Sequence, residues 1–294
     1  YRELRDVRYS IFSDDYNLRT NKAGDFTEEP CNFDYALIGD SFVQGYCVNQ
    51  KDTIAGNLRS LIKEKEPVIS LGVAGTGPLA QYGMLREYSK KKTKRIIWVY
   101  CGENDSKDFY NEKEVEIFNK YLNDRSFSQK LFLKQKKIDD LLIRRISQSE
   151  SSYKLRFFKL YNLRTLLFGR WSSLFQSNKK VPKFPEQEFD NIFKEVKSYS
   201  NKINAKLYFV YLPGHYPKYR NSAQKKKSEF IHYPKILKLI RKHNIPVIDL
   251  HENFFNKQKD PSIFFPFKIP GHLTPEGYKL ITNVIYDSIQ KYEK

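Results

Sequence analysis

Ala36-Leu37-Ile38-Gly39-Asp40-Ser41-Phe42-Val43-Gln44-Gly45-Tyr46 is an apolar run that ends abruptly in a Gly-Asp-Ser turn. A short, fully apolar run of this kind reads as a buried strand. Open α/β sheets keep their chemistry in the crevice outside the carboxyl ends of the strands. The reading therefore places the Ser41 hydroxyl at that edge. Three further segments follow in compatible order: Gly72-Val73-Ala74-Gly75-Thr76-Gly77, Gly102-Glu103-Asn104-Asp105 and Gly271-His272-Leu273-Thr274-Pro275-Glu276-Gly277.

Around these segments, short apolar runs alternate with helical spacing. Strands are expected at 35–39, 67–72, 95–100, 206–212 and 246–250. Runs such as Ile96-Ile97-Trp98-Val99-Tyr100 are too continuous for a sheet with one wet face, so they predict parallel strands covered by helices on both sides. Helical spacing marks 53–64, 79–91 and 226–243, where Ile236, Leu239 and Ile240 share a face. Thr274 reads as an N-cap, with Pro275 at the first helical position and Glu276 in the first turn. The helix that follows, to about Lys291, closes the domain and holds His272 just outside its start. Residues 1–33 read as a polar lead-in and 34–294 as the domain itself.

The stretch 111–200 is longer than a crossover needs and reads as a basic helical insertion. From Lys120 to Lys183 it has 16 Lys or Arg against 4 Asp or Glu. Its run from Tyr153 to Trp171 mixes basic and large apolar side chains. Two readings stay open: an amphipathic lid against anionic lipid, or a helix packed on the domain with its lysines in water. The whole chain of 294 residues carries a formal charge of +18, with 40% hydrophobic and 15% aromatic residues. Such charge attracts an anionic polymer, a membrane surface or nucleic acid. The aromatics lie inside apolar runs rather than forming stacking platforms, which argues against nucleic acid. Cys31, Cys47 and Cys101 have neither metal-ligand nor disulfide spacing. No run reaches the roughly 18–20 apolar residues of a membrane span.

A serine hydroxyl needs a base to take its proton. The candidates are His215, His232, His243, His251 and His272, and the helix signal after His272 favours it. Acyl transfer also builds charge on the carbonyl oxygen, which preorganised donors must meet. The N–H of Ser41, the N–H of Gly75 and the Asn104 amide are suited to that task. Asp40 and Asp105 read as loop carboxylates that bind local N–H groups.

The four segments closely resemble the SGNH/GDSL hydrolase superfamily over about residues 33–110 and 205–290. Gly39-Asp40-Ser41 matches its first block, with Ser41 as nucleophile. Gly75 matches the oxyanion glycine of the second block, Asn104 the donor of the third, and His272 the base of the last. The resemblance implies a flavodoxin-like three-layer α/β/α fold around a five-stranded parallel sheet, and esterase, lipase or carbohydrate O-acyl chemistry with no cofactor or metal. It is nearest to bacterial members that work near cell-surface polysaccharides, some with an N-terminal anchor. That implies an extracytoplasmic, periplasmic setting and an anchor ahead of Tyr1.

One position departs from the pattern. The family places an aspartate three residues before the histidine, where this chain has Ile269, followed by Pro270. A backbone carbonyl holding the ring in a Ser–His dyad, Asp260, or a carboxylate from the insertion are the alternatives. The functional expectation is a serine esterase or O-acyltransferase acting on O-acyl, chiefly O-acetyl, groups of a carbohydrate or surface polymer. The other reading is an inactive scaffold of the same fold in surface-polysaccharide assembly.

Overall fold

The computed structural model describes residues 33–134, 184–214 and 232–294, apart from 64, 90–92, 103, 269 and 270, together with 137 and 141. Five parallel strands, β1 (Tyr35–Ile38), β2 (Val68–Ser70), β3 (Arg95–Cys101), β4 (Lys206–Leu212) and β5 (Val247–Asp249), form one sheet in the order β2-β1-β3-β4-β5. This is a doubly wound order in which the chain turns outward from β1 in one direction and from β3 in the other. The loops after β1 and β3 therefore border the crevice at the switch point.

Among the described residues the helices are α1 (Ser41–Gln44), α2 (Ile54–Leu61), α3 (Pro78–Tyr88), α4 (Asn104–Glu112), α5 (Glu116–Asn123), α6 (Glu186–Lys202), α7 (Tyr233–Lys242), α8 (Leu250–Asn253) and α9 (Pro275–Tyr292). Strand side chains alternate between two cores, as a period of two requires. Ile96, Trp98 and Tyr100 join Leu207, Phe209 and Tyr211 on the face covered by α3, α6 and α7. Ile97, Val99 and Cys101 join Tyr208, Val210 and Leu212 beneath α2 and α9. Both faces are thus dry, which explains the unbroken apolar runs. The result is a three-layer α/β/α fold.

Observed elements are mostly shorter than the sequence spans, because terminal apolar residues continue into buried loops. Leu71 lies beyond β2 yet is 1% exposed. The first part of the 226–243 helix, through 231, lies outside the described residues. Residues 111–132 and 184–200 fold with the main unit, which leaves out 133–183. Within the expected insertion, α6 is a core helix whose Phe189, Ile192, Phe193 and Val196 are fully buried. The basic run 153–171 and the lead-in through 32 lie outside the described residues.

The Gly-Asp-Ser turn is packed too closely for any larger residue at its first position. A Cβ on Gly39 would lie 2.5 Å from Val43 Cγ2 and 2.7 Å from the Val99 carbonyl oxygen. Gly39→Ala is therefore expected to destabilise the protein by about 1–3 kcal/mol, the usual cost of overpacking. Urea unfolding measures it, and an unchanged midpoint would mean that the turn has slack.

Candidate active site

Ser41 opens α1, directly after β1. Asp40 is the N-cap, and its Oδ1 accepts the Phe42 N–H at 2.9 Å. As the first residue of a helix, Ser41 has no carbonyl one turn earlier for its own N–H to bond. Gly45 ends α1 in the left-handed conformation, φ 72°, which glycine adopts without strain. The short helix thus presents Ser41 at the strand end, 8% exposed.

His272 arrives from the far end of the chain. Thr274 caps α9 by accepting the Gly277 N–H at 3.1 Å, and its own N–H binds the Phe264 carbonyl at 2.8 Å. This anchors the loop two residues after the histidine. The imidazole Nε2 lies 2.8 Å from Ser41 Oγ, within hydrogen-bonding range. The rings of Phe42 and Tyr46 sit 4.8 and 5.2 Å from it, centroid to centroid. Burial pushes the imidazole down to about 4 from its ordinary 6.5. It is therefore neutral at pH 7 and can accept a proton.

The Gly72–Gly77 loop is fastened to both sides of Ser41. Val73 N–H binds the Gly39 carbonyl at 3.2 Å, and Ala74 N–H binds Gln44 Oε1 at 2.9 Å. A Cβ on Gly72 would stand 2.4 Å from Gln44 N, so the loop backbone lies against α1. Gly75 is exposed at φ 74°, with nothing within 4 Å of where a Cβ would project. Glycine is required there by conformation rather than by space.

Asn104 opens α4, directly after β3. Its Nδ2 donates to Asp40 Oδ2 at 2.9 Å, which uses one of the two amide hydrogens. Burial pushes Asp40 up to about 6, against the opposing pull of that amide and of Phe42 N–H. Asp105 is fully buried and accepts from Gln81 Nε2 and Cys101 N–H. Gln81 Oε1 in turn accepts from Trp98 Nε1 at 2.7 Å. Desolvation, followed by the charge of Asp40, raises Asp105 well above the ordinary carboxylate range. These contacts lock the two strand-end loops to each other.

All four expected site residues fold into one unit. Ser41 and His272 touch, Asn104 is bonded to the residue before Ser41, and Gly75 lies on the loop tied around it. The other histidines go elsewhere. His243 pairs with Asp190 at 2.7 Å, His232 stacks on Phe184, and His251 follows β5 beside Tyr233. His215, Cys31, Ile269 and Pro270 lie outside the described residues. Asp260 Oδ1 accepts the Ser262 N–H at 3.1 Å, and its Oδ2 pairs with Lys268 at 3.2 Å. Cys47 and Cys101 are buried. Among the described residues no cluster of three or more His, Cys, Asp or Glu is arranged to hold a metal, and no helix is long and apolar enough to cross a membrane.

Sequence reasoning missed Glu112. Its carboxylate accepts the N–H groups of Gly77, Leu79 and Ala80 at 2.6, 3.0 and 3.3 Å. The available signal was Gly77-Pro78, a helix start whose N-cap residue has no side-chain oxygen, so the cap must come from another element.

A scan of protein-family models gives no match to the sequence, and neither does a search of curated proteins. Solved structures do match. The acetyl xylan esterase AlAXEase is 13% identical over 87% of this chain and 98% of its own, with a TM-score of 0.51. A lipolytic protein of the G-D-S-L family from Desulfitobacterium hafniense DCB-2 is 15% identical over 87% and 99%, at 0.48. A lipase/acylhydrolase from Enterococcus faecalis is 14% identical over 88% and 95%, also at 0.48. At such identities the likeness is one of fold.

Proposed function

We propose that this chain, which has the fold of the SGNH/GDSL hydrolases, is a serine esterase or O-acyltransferase. The observation that carries the reading is the 2.8 Å contact between His272 Nε2 and Ser41 Oγ. In the forward step Ser41 Oγ attacks the acyl carbonyl carbon while His272 Nε2 takes its proton. The carbonyl π electrons move onto oxygen, which would be met by Ser41 N–H, Gly75 N–H and the second hydrogen of Asn104 Nδ2. Collapse of the tetrahedral intermediate breaks the ester C–O bond, and His272 returns its proton to the departing alcohol. Water then completes a hydrolysis, or a sugar hydroxyl completes a transfer.

Burial keeps His272 neutral and also disfavours the imidazolium that forms on attack. The developing oxyanion supplies compensating charge nearby, so the two must arise together. The substrate class we favour is an O-acetylated carbohydrate or surface polymer in an extracytoplasmic setting. The formal charge of +18 fits an acidic polymer or an anionic membrane face. Turnover of p-nitrophenyl acetate, then acetate release from O-acetylated polysaccharides or acetyl transfer from p-nitrophenyl acetate to free polysaccharide hydroxyls, tests this. Specific glycan binding without Ser41-dependent turnover of any acyl ester would instead favour the scaffold reading.

Asn104 supports a separate prediction. Asn104→Ala should lower kcat by roughly 10²–10³-fold, the loss typical of one oxyanion donor. KM should move little, because the donor acts on charge that develops only in the transition state. An unchanged kcat in folded protein would confine Asn104 to holding Asp40.

A further inference from the structure

Helix α3 is capped from another element. Its N-cap is Gly77 and its first residue is Pro78, so neither offers a side-chain oxygen to the N–H groups exposed at a helix start. Glu112 supplies it from 32–35 residues away, with Oε1 on Gly77 N–H and Oε2 shared by Leu79 and Ala80 N–H. Glu112 as a whole is 6% exposed. The fit is close: a Cβ on Gly77 would stand 2.8 Å from Glu112 Oε2 and from Phe109 N.

The elements that Glu112 joins are those that carry the two outlying donors. Gly77 closes the loop that contains Gly75. Glu112 is the last residue of α4, and Asn104 is the first. A helix is stiff over nine residues, about 13 Å at 1.5 Å each. Pinning one end of α4 to the end of the Gly75 loop therefore restrains where its other end holds Asn104. Other restraints on Asn104 and Gly75 run through Asp40, Gly39 and Gln44 around Ser41, and through Gln81, whose Nε2 donates to the Thr76 carbonyl at 2.9 Å and to Asp105 beside Asn104. Glu112 closes that ring from behind.

We propose that Glu112 is a positioning residue that fixes the spacing between Gly75 N–H and the Asn104 amide, and through it the strength of the oxyanion site. This rests on the reading of those two groups as oxyanion donors. Misplacement of a donor by about 1 Å is enough to lose much of its effect. An amide at 112 has one acceptor oxygen in place of two and turns an NH₂ group toward backbone N–H.

The test is a double-mutant cycle on the full chain with p-nitrophenyl acetate. Glu112→Gln is expected to lower kcat at least ~10-fold with KM within ~2-fold, the pattern of a lost transition-state interaction. In an Asn104→Ala background the same change should cost less than ~3-fold, because a donor already removed cannot be misplaced. Glu112→Asp keeps the charge on a shorter arm and should fall between wild type and Glu112→Gln. It replaces Glu112→Gln in the cycle if the latter does not fold. A kcat within ~2-fold of wild type, or an equal factor in both backgrounds, would overturn the proposal and leave Glu112 a plain helix cap. Wild-type protein without Ser41-dependent turnover would instead sink the esterase reading, and this inference with it.

Discussion

Ser41→Ala should reduce kcat on p-nitrophenyl acetate by roughly 10⁴–10⁶-fold, with the fold and substrate binding retained. Loss of a serine nucleophile costs that much because no other group can form the acyl-enzyme, and only oxyanion stabilisation and binding remain. Structural damage should be small. Ser41 Oγ meets His272 Nε2, while α1 is held by Asp40, Gly45 and Gln44 through other atoms. Alanine also preserves the Ser41 backbone N–H. Stopped-flow and steady-state rates measure the loss, with urea unfolding as the check on fold. Activity within tenfold of wild type would assign the chemistry to another nucleophile.

His272→Ala should cost a similar factor, since without a base the hydroxyl keeps its proton. The pH profile gives an independent sign. Burial holds the imidazole at about 4, so the free enzyme carries a neutral base down to that pH. The His272 limb of kcat/KM should therefore lie near pH 4, with activity falling below it. An acid limb near 6.5, the ordinary histidine value, would contradict the lowering of the imidazole by burial.

Stability should follow His272 in the same direction. The unfolded chain protonates this histidine near 6.5 and the folded one near 4. Its contribution is lost as pH falls between those values. Asp40 and Glu112 act oppositely, because burial raises them to about 6 and about 7. Their contributions are lost as pH rises through those values. An unfolding profile thus mixes both signs, and only the difference between wild type and His272→Ala isolates the imidazole.

What was legible in the chain follows from what local sequence encodes. Buried parallel strands must be apolar on both faces, so Ile96–Tyr100 and Leu207–Tyr211 were readable as strands directly. Gly39 and Gly72 were legible only as members of the Gly-Asp-Ser and Gly72–Gly77 segments, and the contacts with Val43 Cγ2 and Gln44 N that leave no room for a side chain emerge only in the fold. Thr274-Pro275 carried the cap that positions His272. By contrast, α6 was merged into the expected insertion at 111–200, although its Phe189, Ile192, Phe193 and Val196 share one buried face that packs on the main core. Glu112 was missed for a different reason: Gly77-Pro78 signals that a cap must come from elsewhere, but not from which residue. Its three N–H partners lie more than thirty residues away, and no local pattern marks a carboxylate that caps another helix. The replacement of the family's aspartate by Ile269 was legible, and so was Asp260 as an alternative, which bonds Ser262 and Lys268.

Reaction of the folded protein with a fluorophosphonate, followed by peptide mass mapping, tests the central claim most directly. The reagent bonds to an activated serine oxygen with loss of fluoride. A single adduct on the peptide containing Ser41, absent from Ser41→Ala and strongly slowed in His272→Ala, is the predicted result. An adduct elsewhere, or an unmodified Ser41 in protein that is fully folded, would contradict it.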